Sequence, residues 1–212
     1  MIKAIIFDWC GVLIDKLGDD LIKYCADSLK VDVNILKNIF SKYELTFRKG
    51  EISEEKMWNK ICTELNIKKP IVKSLWKNAV KSVFNDKVQI HNLILLLKKE
   101  GYLIGFLSNT EIPTMEYFFE NGYEKYYDVT TFSCAENTVQ PEEKIYNLTL
   151  KKLNIRPEES IFIDDKPDYI DGAKKVGMNG IVFKSPEQLV KELAYYSINI
   201  DIAKIQTIPL VS

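Results

Sequence analysis

Residues 2–8 read IKAIIFD, a short and mainly apolar run that ends at an acidic side chain. Similar apolar runs recur along the chain at residues 103–107, 128–132, 161–163 and 181–183. Continuous runs of this length are typical of parallel strands that are buried on both faces of a sheet. Helix-like patterns lie between them at residues 86–100, 112–120, 141–153 and 168–176. The alternation predicts a doubly wound α/β fold with a mostly parallel sheet.

The interval between the first two predicted strands has no strand pattern. It shows helix-like segments instead, at residues 21–29, 33–47, 54–65 and 71–84. Ser53, followed by acidic residues, has the form of a helix start. We therefore expect an α/β core of residues 1–16 and 86–212, and a small all-helical insertion of residues 17–85. Past Tyr196 the isoleucines alternate weakly, which fits an edge strand, a packed tail or a dimer contact.

The composition is that of an ordinary globular protein. The apolar fraction is 46%, the charged fraction 28% and the net charge -1, so we expect no nucleic-acid partner. The four cysteines form no CxxC pair and no signal-peptide pattern precedes the first strand, which predicts a cytoplasmic protein. The apolar runs are far shorter than the ~20 residues of a membrane span, so we expect no membrane contact. Both a monomer and a homodimer remain open.

Acidic residues stand at the ends of two predicted strands. Asp8 follows the first apolar run directly, and Asp164 and Asp165 follow the fourth. Because ligands of open parallel sheets bind outside the carboxyl ends of the strands, these carboxylates should meet in one crevice. Crowded carboxylates repel each other, and a divalent cation with a preference for hard oxygen ligands would hold them together. The sequence therefore predicts a Mg²⁺ site.

Three stretches resemble conserved motifs of the haloacid dehalogenase superfamily: FDWCGVL at residues 7–13, LSNT at residues 107–110 and FIDD at residues 162–165. Their order and spacing agree with that family. RKGEISEE at residues 48–55 is similar to the helical cap of the subfamily whose cap follows the first strand. The resemblance extends to about residue 193. It implies a Rossmann-like core under a helical cap, and a Mg²⁺-dependent phosphatase that acts on a small phosphorylated molecule.

The resemblance also assigns roles to individual residues. Asp8 would be the nucleophile that takes up the phosphoryl group, a role that suits a carboxylate because it is ionised at neutral pH. Ser108 and the amide of Asn109 would bind a phosphoryl oxygen. The implied Mg²⁺ ligands are Asp8, the main-chain carbonyl of Cys10, Asp164 and Asp165.

Two positions of the phosphate site depart from the family pattern. Cys10 replaces a second aspartate that usually protonates the leaving oxygen, and a thiol with a pKa of ~8.5 is a poor substitute. Gln140, before Pro141, replaces a lysine. Lys144, one turn further along the predicted helix, is expected to supply the missing cation, and Lys166 is the other candidate. Without an acid, acyl, aryl or anomeric sugar phosphates should be the best substrates.

The departures keep other functions open. One alternative is a degenerate relative that binds a phosphorylated ligand or partner without turnover. Another is a different reaction of the superfamily, such as dehalogenation or a phosphonate cleavage that uses a cap lysine, for example Lys49 or Lys56. The acidic pair at residues 164–165 favours phosphate and metal over halide.

Overall fold

The structure is a computed structural model that describes residues 1–207, and its sheet has five strands in the order β3-β2-β1-β4-β5. All neighbouring strands run parallel. The strands are Ala4–Phe7 (β1), Leu103–Ser108 (β2), Val129–Phe132 (β3), Ser160–Asp164 (β4) and Asn179–Val182 (β5). The predicted fold class is confirmed.

Helices account for most of the remaining chain. Five helices follow β1 directly along the chain: Gly18–Leu29 (α1), Val33–Ser41 (α2), Glu44–Arg48 (α3), Glu54–Glu64 (α4) and Leu75–Val83 (α5). The others are Val88–Lys99 (α6), Ile112–Glu120 (α7), Ser133–Glu136 (α8), Glu143–Leu153 (α9), Pro167–Lys175 (α10), Pro186–Ala194 (α11) and Ile202–Thr207 (α12). Short 3-10 turns lie at Tyr123–Tyr126 and Pro157–Glu159. Within residues 1–207, no helix is long and apolar enough to cross a lipid bilayer.

The central strand β1 shows why the strand sequences are continuously apolar. Its side chains alternate between the two faces of the sheet, as the pleat requires. Ile5 and Phe7 belong to a buried cluster shared with α6 and α11, whereas Ala4 and Ile6 belong to a second cluster shared with α9 and α10. Both faces are covered, so neither set of positions needs polar side chains.

Helices α1–α5 form the helical insertion between β1 and α6. Polar side chains begin three of these helices: Ser53 accepts a hydrogen bond from the amide of Lys56 (3.3 Å), and Asp32 and Ser74 act in the same way. The buried residues of the insertion are continuous with those on one face of the sheet. The division into a core of residues 1–16 and 86–212 and a cap of residues 17–85 stays a prediction, and residues 208–212 lie outside the described residues.

The chain enters and leaves the helical insertion at adjacent points. The amide of Asp15 donates to the carbonyl of Asn85 (3.1 Å), and the amide of Lys87 donates to the carbonyl of Leu13 (2.8 Å). Lys87 also donates from Nζ to the carbonyl of Gly11 (2.7 Å). The two segments that connect the helical insertion to the rest of the chain, residues 13–15 and 85–87, therefore lie side by side and are joined by hydrogen bonds.

Three predicted helices differ from the structure. The helix predicted at residues 71–84 begins only at Leu75, after Ser74 as its N-cap. The segment predicted as one helix at residues 33–47 is divided into α2 and α3. At the end of α2, the hydroxyl of Ser41 donates to the carbonyl of Asn38 (2.7 Å), a side-chain to main-chain bond that competes with continuation of the helix. The helix predicted to begin at Pro141 begins at Glu143, after Glu142 in extended conformation. Gln140 cannot join that helix because the side chain of Asn109 holds both its amide and its carbonyl.

The segment after Tyr196 is a packed tail within the described residues, one of the three alternatives that the sequence left open. It contains helix α12, and Ile198 and Ile205 are buried. The side chain of Asn92 on α6 donates to the carbonyl of Ile205 (2.8 Å). The tail therefore packs on α6 and does not form an edge strand within the described residues.

Candidate active site

The sheet order places the ends of β1 and β4 side by side. Phe7 pairs with Ile163, so Asp8 and Asp164 follow at the same edge of the sheet. β2 and β3 continue to one side of β1, while β4 and β5 continue to the other side. This point, where the strand order reverses, is where open α/β sheets have a ligand crevice.

Three carboxylates converge in that crevice. Asp8, Asp164 and Asp165 each offer an oxygen, and these oxygens all lie within 4.8 Å of one another. Burial raises the pKa of both Asp8 and Asp164 above the ordinary value, and the charges of neighbouring carboxylates raise it further. The donor set consists of oxygen atoms only. Among the described residues, Asp165 Oδ1 is buried without a hydrogen-bond partner, so the group fits a hard divalent cation such as Mg²⁺.

The turn after β1 fixes the position of Asp8. Its anchor is Trp9, a buried side chain whose ring lies 5.7 Å from that of Phe106 and 5.3 Å from that of Phe118. Gly11 has a φ of +92°, and a Cβ atom at this position would lie 2.6 Å from Cγ of Asp165. Only glycine combines this conformation with so close an approach to the second acidic strand end.

Hydrogen bonds orient the carboxylate of Asp8. The hydroxyl of Ser108, at the end of β2, donates to it, as does the amide of Trp9. The hydroxyl of Thr110 in turn donates to Ser108 Oγ (3.2 Å). Asp8 is thus held by the neighbouring strand as well as by its own turn.

The side chain of Asn109 connects three segments around the site. Its Nδ2 donates to the carbonyl of Gln140 (3.0 Å) and to the hydroxyl of Tyr169 (3.1 Å), while Oδ1 accepts from the amide of Gln140 (2.8 Å). Gln140 is buried, and its Nε2 donates to Asp164 Oδ2 (3.3 Å). A neutral amide therefore faces the carboxylates at the position where the resemblance implies a lysine.

A cleft of about 580 Å³ opens over these groups. Residues after three strand ends form its floor, and residues of α1, α3 and the start of α7 form its walls. Predicted site residues that line it are Asp8, Cys10, Ser108, Asn109 and Asp165. Asp164 and Gln140 lie buried beside this group. The structure therefore brings together all of the predicted site residues except one.

That residue is Lys144. It lies in the first turn of α9, is exposed and is not among the residues that line the cleft. The expectation that it reaches back assumed a helix continuous from Pro141, but the helix begins only at Glu143. Lys166, the other candidate, does line the cleft. The geometry gives a catalytic role of Lys144 no support.

The thiol at position 10 is a weak acid. Burial, together with the charges of Asp8 and Glu111, raises the pKa of Cys10 to about 12. The thiol is protonated at neutral pH, yet it holds its proton too tightly to give it efficiently to a departing oxygen. The structure thus agrees with the sequence argument against Cys10 as a general acid.

Comparison with known proteins identifies the family. The sequence profile of the haloacid dehalogenase-like hydrolases matches residues 2–177. The chain belongs to this family.

Relatives of this hydrolase are of moderate similarity. Mouse acyl-CoA dehydrogenase family member 10 is 26% identical over 200 residues, which are 90% of this chain and 19% of that protein. A glyceraldehyde 3-phosphate phosphatase from Pyrococcus furiosus is 33% identical over 105 residues, 48% of this chain and 43% of its own length. The match thus spans about a fifth of the first relative and less than half of the second.

A solved structure shares the fold of this hydrolase. It is a haloacid dehalogenase family enzyme from Bacteroides thetaiotaomicron in complex with magnesium and inorganic phosphate. It superimposes with a TM-score of 0.72 at 23% identity and covers 87% of this chain and 95% of its own.

Sequence reasoning missed an ion pair that joins the helical insertion to the sheet. Arg48 Nε lies 3.4 Å from Glu111 Oε1, and a second nitrogen lies 2.9 Å from Glu44. Glu111 Oε2 accepts from Nε1 of Trp76 (3.2 Å) on α5. Both Arg48 and Glu111 line the cleft. The one available signal was the rarity of arginine, since Arg48 and Arg156 are the only ones in the chain.

The lysines considered for a phosphonate-type reaction lie elsewhere. Lys49 forms an ion pair with Glu142 (2.7 Å), and Lys56 is exposed on α4. Neither is among the residues that line the cleft. Neither amine therefore lies in the cleft over Asp8.

Proposed function

We propose that this hydrolase is a Mg²⁺-dependent phosphatase that acts on a small phosphorylated molecule, with Asp8 as its nucleophile. The convergence of the Asp8, Asp164 and Asp165 carboxylates within 4.8 Å at the floor of the cleft carries this proposal. Two similarities support it: the Pyrococcus relative is named a phosphatase, and the Bacteroides structure contains magnesium and inorganic phosphate.

The proposed metal ligands are Asp8, Asp164, Asp165 and the main-chain carbonyl of Cys10. When bound there, Mg²⁺ supplies positive charge that offsets the repulsion between a carboxylate nucleophile and a phosphate. Burial is the main cause of the raised pKa values of Asp8 and Asp164, and the neighbouring carboxylates add to it; a bound cation would favour the ionised form of both groups.

The proposed reaction has two steps. In the first, an oxygen of Asp8 forms a bond to phosphorus, and the bond to the leaving oxygen breaks with its electron pair moving to that oxygen. Water then attacks the aspartyl-phosphate, which releases inorganic phosphate and regenerates Asp8. Ser108, whose hydroxyl already contacts Asp8, and the main-chain amide of Asn109 would bind a phosphoryl oxygen.

The environment of Cys10 restricts the proposed leaving group. The leaving oxygen must depart without an efficient proton donor, because the pKa of Cys10 is about 12. Groups that are weak bases need the least protonation. We therefore propose acyl, aryl or anomeric sugar phosphates as the preferred substrates, of a size that the cleft of about 580 Å³ admits.

The test is hydrolysis of p-nitrophenyl phosphate, whose leaving group needs little acid. The wild type is compared with Asp8→Asn, each with Mg²⁺ and with EDTA. We expect metal-dependent release of p-nitrophenol that is absent from Asp8→Asn. Beryllofluoride should also form a Mg²⁺-dependent adduct with the wild type, which NMR of bound fluoride detects, and no such adduct with the variant.

The opposite result has a definite meaning. Turnover equal in the two proteins would exclude Asp8 as the nucleophile. No turnover by either protein would favour the alternative in which Cys10 and Gln140 mark a protein that binds a phosphorylated ligand without hydrolysing it.

A further inference from the structure

The cleft contains three cationic side chains, and two of them are already paired. Lys16 Nζ lies 2.6 Å from Asp165 Oδ2, and Arg48 contacts both Glu44 and Glu111. Among the described residues, Lys166 forms no direct ion pair, although it lines the same cleft as Asp8 and is exposed to it. Its charge therefore remains available to an incoming anion.

Lys166 is held close to the carboxylates by its place in the chain. It follows Asp165 directly, and its amide donates to Asp164 Oδ1 (2.8 Å). A lysine side chain is positively charged at neutral pH, so Lys166 brings a cation to this strand end.

The ring of Tyr169 restricts where the ammonium group can lie. Lys166 Nζ is 4.6 Å from the centroid of that ring. Two hydrogen bonds fix Tyr169. Its hydroxyl accepts from Asn109, and its main-chain carbonyl accepts from the hydroxyl of Tyr146 (2.7 Å). A cation over the face of an immobilised ring is favourably placed.

We propose that Lys166 binds the phosphoryl group of the substrate and stabilises its negative charge as it passes to Asp8, and that Tyr169 positions Lys166 for this role. The inference rests on the proposed function. Lys166 stays protonated and forms no covalent bond, so it adds no step to the reaction. Gln140 supplies only a neutral donor to Asp164, and the unpaired cation of the cleft compensates for it.

The experiment compares Lys166→Gln with Lys144→Gln, which removes the same charge from an exposed position on α9. With p-nitrophenyl phosphate at saturating Mg²⁺, we expect kcat/KM of Lys166→Gln to fall about 10²-fold, as for other lost charge-stabilising donors. Lys144→Gln should equal the wild type. Lys166→Arg should recover part of the loss, and inhibition by orthovanadate should weaken in parallel with kcat/KM. The Mg²⁺ concentration for half-maximal activity should not rise, because removal of a nearby cation does not weaken the metal site.

Tyr169 provides a second measurement. Tyr169→Phe keeps the ring and Tyr169→Leu removes it, so a positioning role predicts a larger fall in kcat/KM and in vanadate inhibition for the leucine variant. Equal kcat/KM for Lys166→Gln and Lys144→Gln in an active enzyme would overturn the inference and leave the proposed function intact.

A wild type without turnover would contradict the proposed function instead. Calorimetric titration with inorganic phosphate in the presence of Mg²⁺ then decides the inference about the phosphate site. Weaker binding to Lys166→Gln than to Lys144→Gln supports a phosphate contact, and equal binding to both excludes it.

Discussion

Position 10 determines which leaving groups the proposed reaction tolerates. The side chain lines the cleft two residues after Asp8, and its surroundings already contain the carboxylates of Asp8 and Glu111. Burial and these charges raise the pKa of the thiol, and they would raise that of a carboxylic acid for the same reason. An aspartate placed here would therefore have a raised pKa, which favours the protonated state that a general acid requires.

Cys10→Asp is expected to extend hydrolysis to alkyl phosphates. We expect kcat/KM for glycerol 2-phosphate to rise about 10²-fold, the lower range of general acid catalysis, with a much smaller change for p-nitrophenyl phosphate. Cys10→Ser, of similar size but without an acid, is the control and should change neither value much. Parallel gains on both substrates would show that the effect does not come from proton donation.

Gly11→Ala is expected to destabilise the protein and disturb Asp165. Gly122→Ala is a matched control, because both glycines have positive φ but only Gly11 would place Cβ against another residue. Urea unfolding should show a loss of about 1–2 kcal/mol for Gly122→Ala from backbone conformation, and a larger loss for Gly11→Ala. Mg²⁺-dependent turnover should fall only in Gly11→Ala. Equal free energies of unfolding would mean that the turn can move away from Asp165.

Helix α3 joins the helical insertion to the sheet. The hydroxyl of Ser133 on α8 donates to the carbonyl of Arg48 (2.7 Å). A Cβ atom at Gly50 would lie 2.3 Å from the carbonyl oxygen of Cys134, so the chain after α3 lies directly against α8. Arg48 is therefore fixed at its backbone while its side chain reaches the cleft.

The buried half of the Arg48 network should contribute more stability than the exposed half. Glu111 is buried and also accepts from Trp76 and from Thr114, whereas Glu44 is more exposed and forms one ion pair. We expect Glu111→Gln to lower the free energy of unfolding by about 1–3 kcal/mol, and Glu44→Gln by less than about 1 kcal/mol. Urea denaturation at one pH and salt concentration measures both. The reverse order would contradict the assignment of Glu111 as the central acceptor.

Elements were predictable where one local pattern decides them. The strands were found because runs such as residues 161–163 are buried on both faces, and α4 because Ser53 begins it. The break between α2 and α3 was missed because residues 33–47 keep a helical pattern across it. The start of α9 was missed because Glu142 is extended, although the pattern from Pro141 onward reads as helical.

At the scale of the whole molecule, acid should weaken the interaction between Lys3, before β1, and Glu159, in the turn before β4. Glu159 accepts hydrogen bonds from Lys3, which has the larger effect, and from Arg156. Together they lower its pKa from 4.5 to about 2. The ionised carboxylate is favoured in the folded state, so its contribution is complete above pH 4.5 and disappears as the pH falls towards 2.

Glu159→Gln should therefore be less stable than the wild type at pH 7, with the difference shrinking as the pH falls from 4.5 to 2. Urea midpoints across that range measure the effect. Glu158→Gln is the control, since Glu158 is mostly exposed and, within residues 1–207, its carboxylate pairs with Arg156 alone, at 3.3 Å. A constant difference between Glu159→Gln and the wild type would exclude the ion pair as its cause.

The candidate site was predictable as far as strand ends determine it. Asp8, Ser108 and Asp164 terminate neighbouring strands, so a parallel sheet brings them together once the strand order is known. The choice between Lys144 and Lys166 depended on where one helix begins, and the Arg48–Glu111 pair depended on how the insertion packs. Such contacts follow from the assembled molecule and have no signature in a local sequence pattern.

The side-by-side connecting segments at Asp15 and Asn85 also bear on how such proteins diverge. Because the helical insertion begins and ends at the same place, changes in its length or helix arrangement leave the strand register unaltered. After gene duplication, sequence drift confined to residues 17–85 would alter what enters the cleft. The acidic groups at the strand ends would stay where they are, so new substrate ranges could arise without rebuilding the reaction centre.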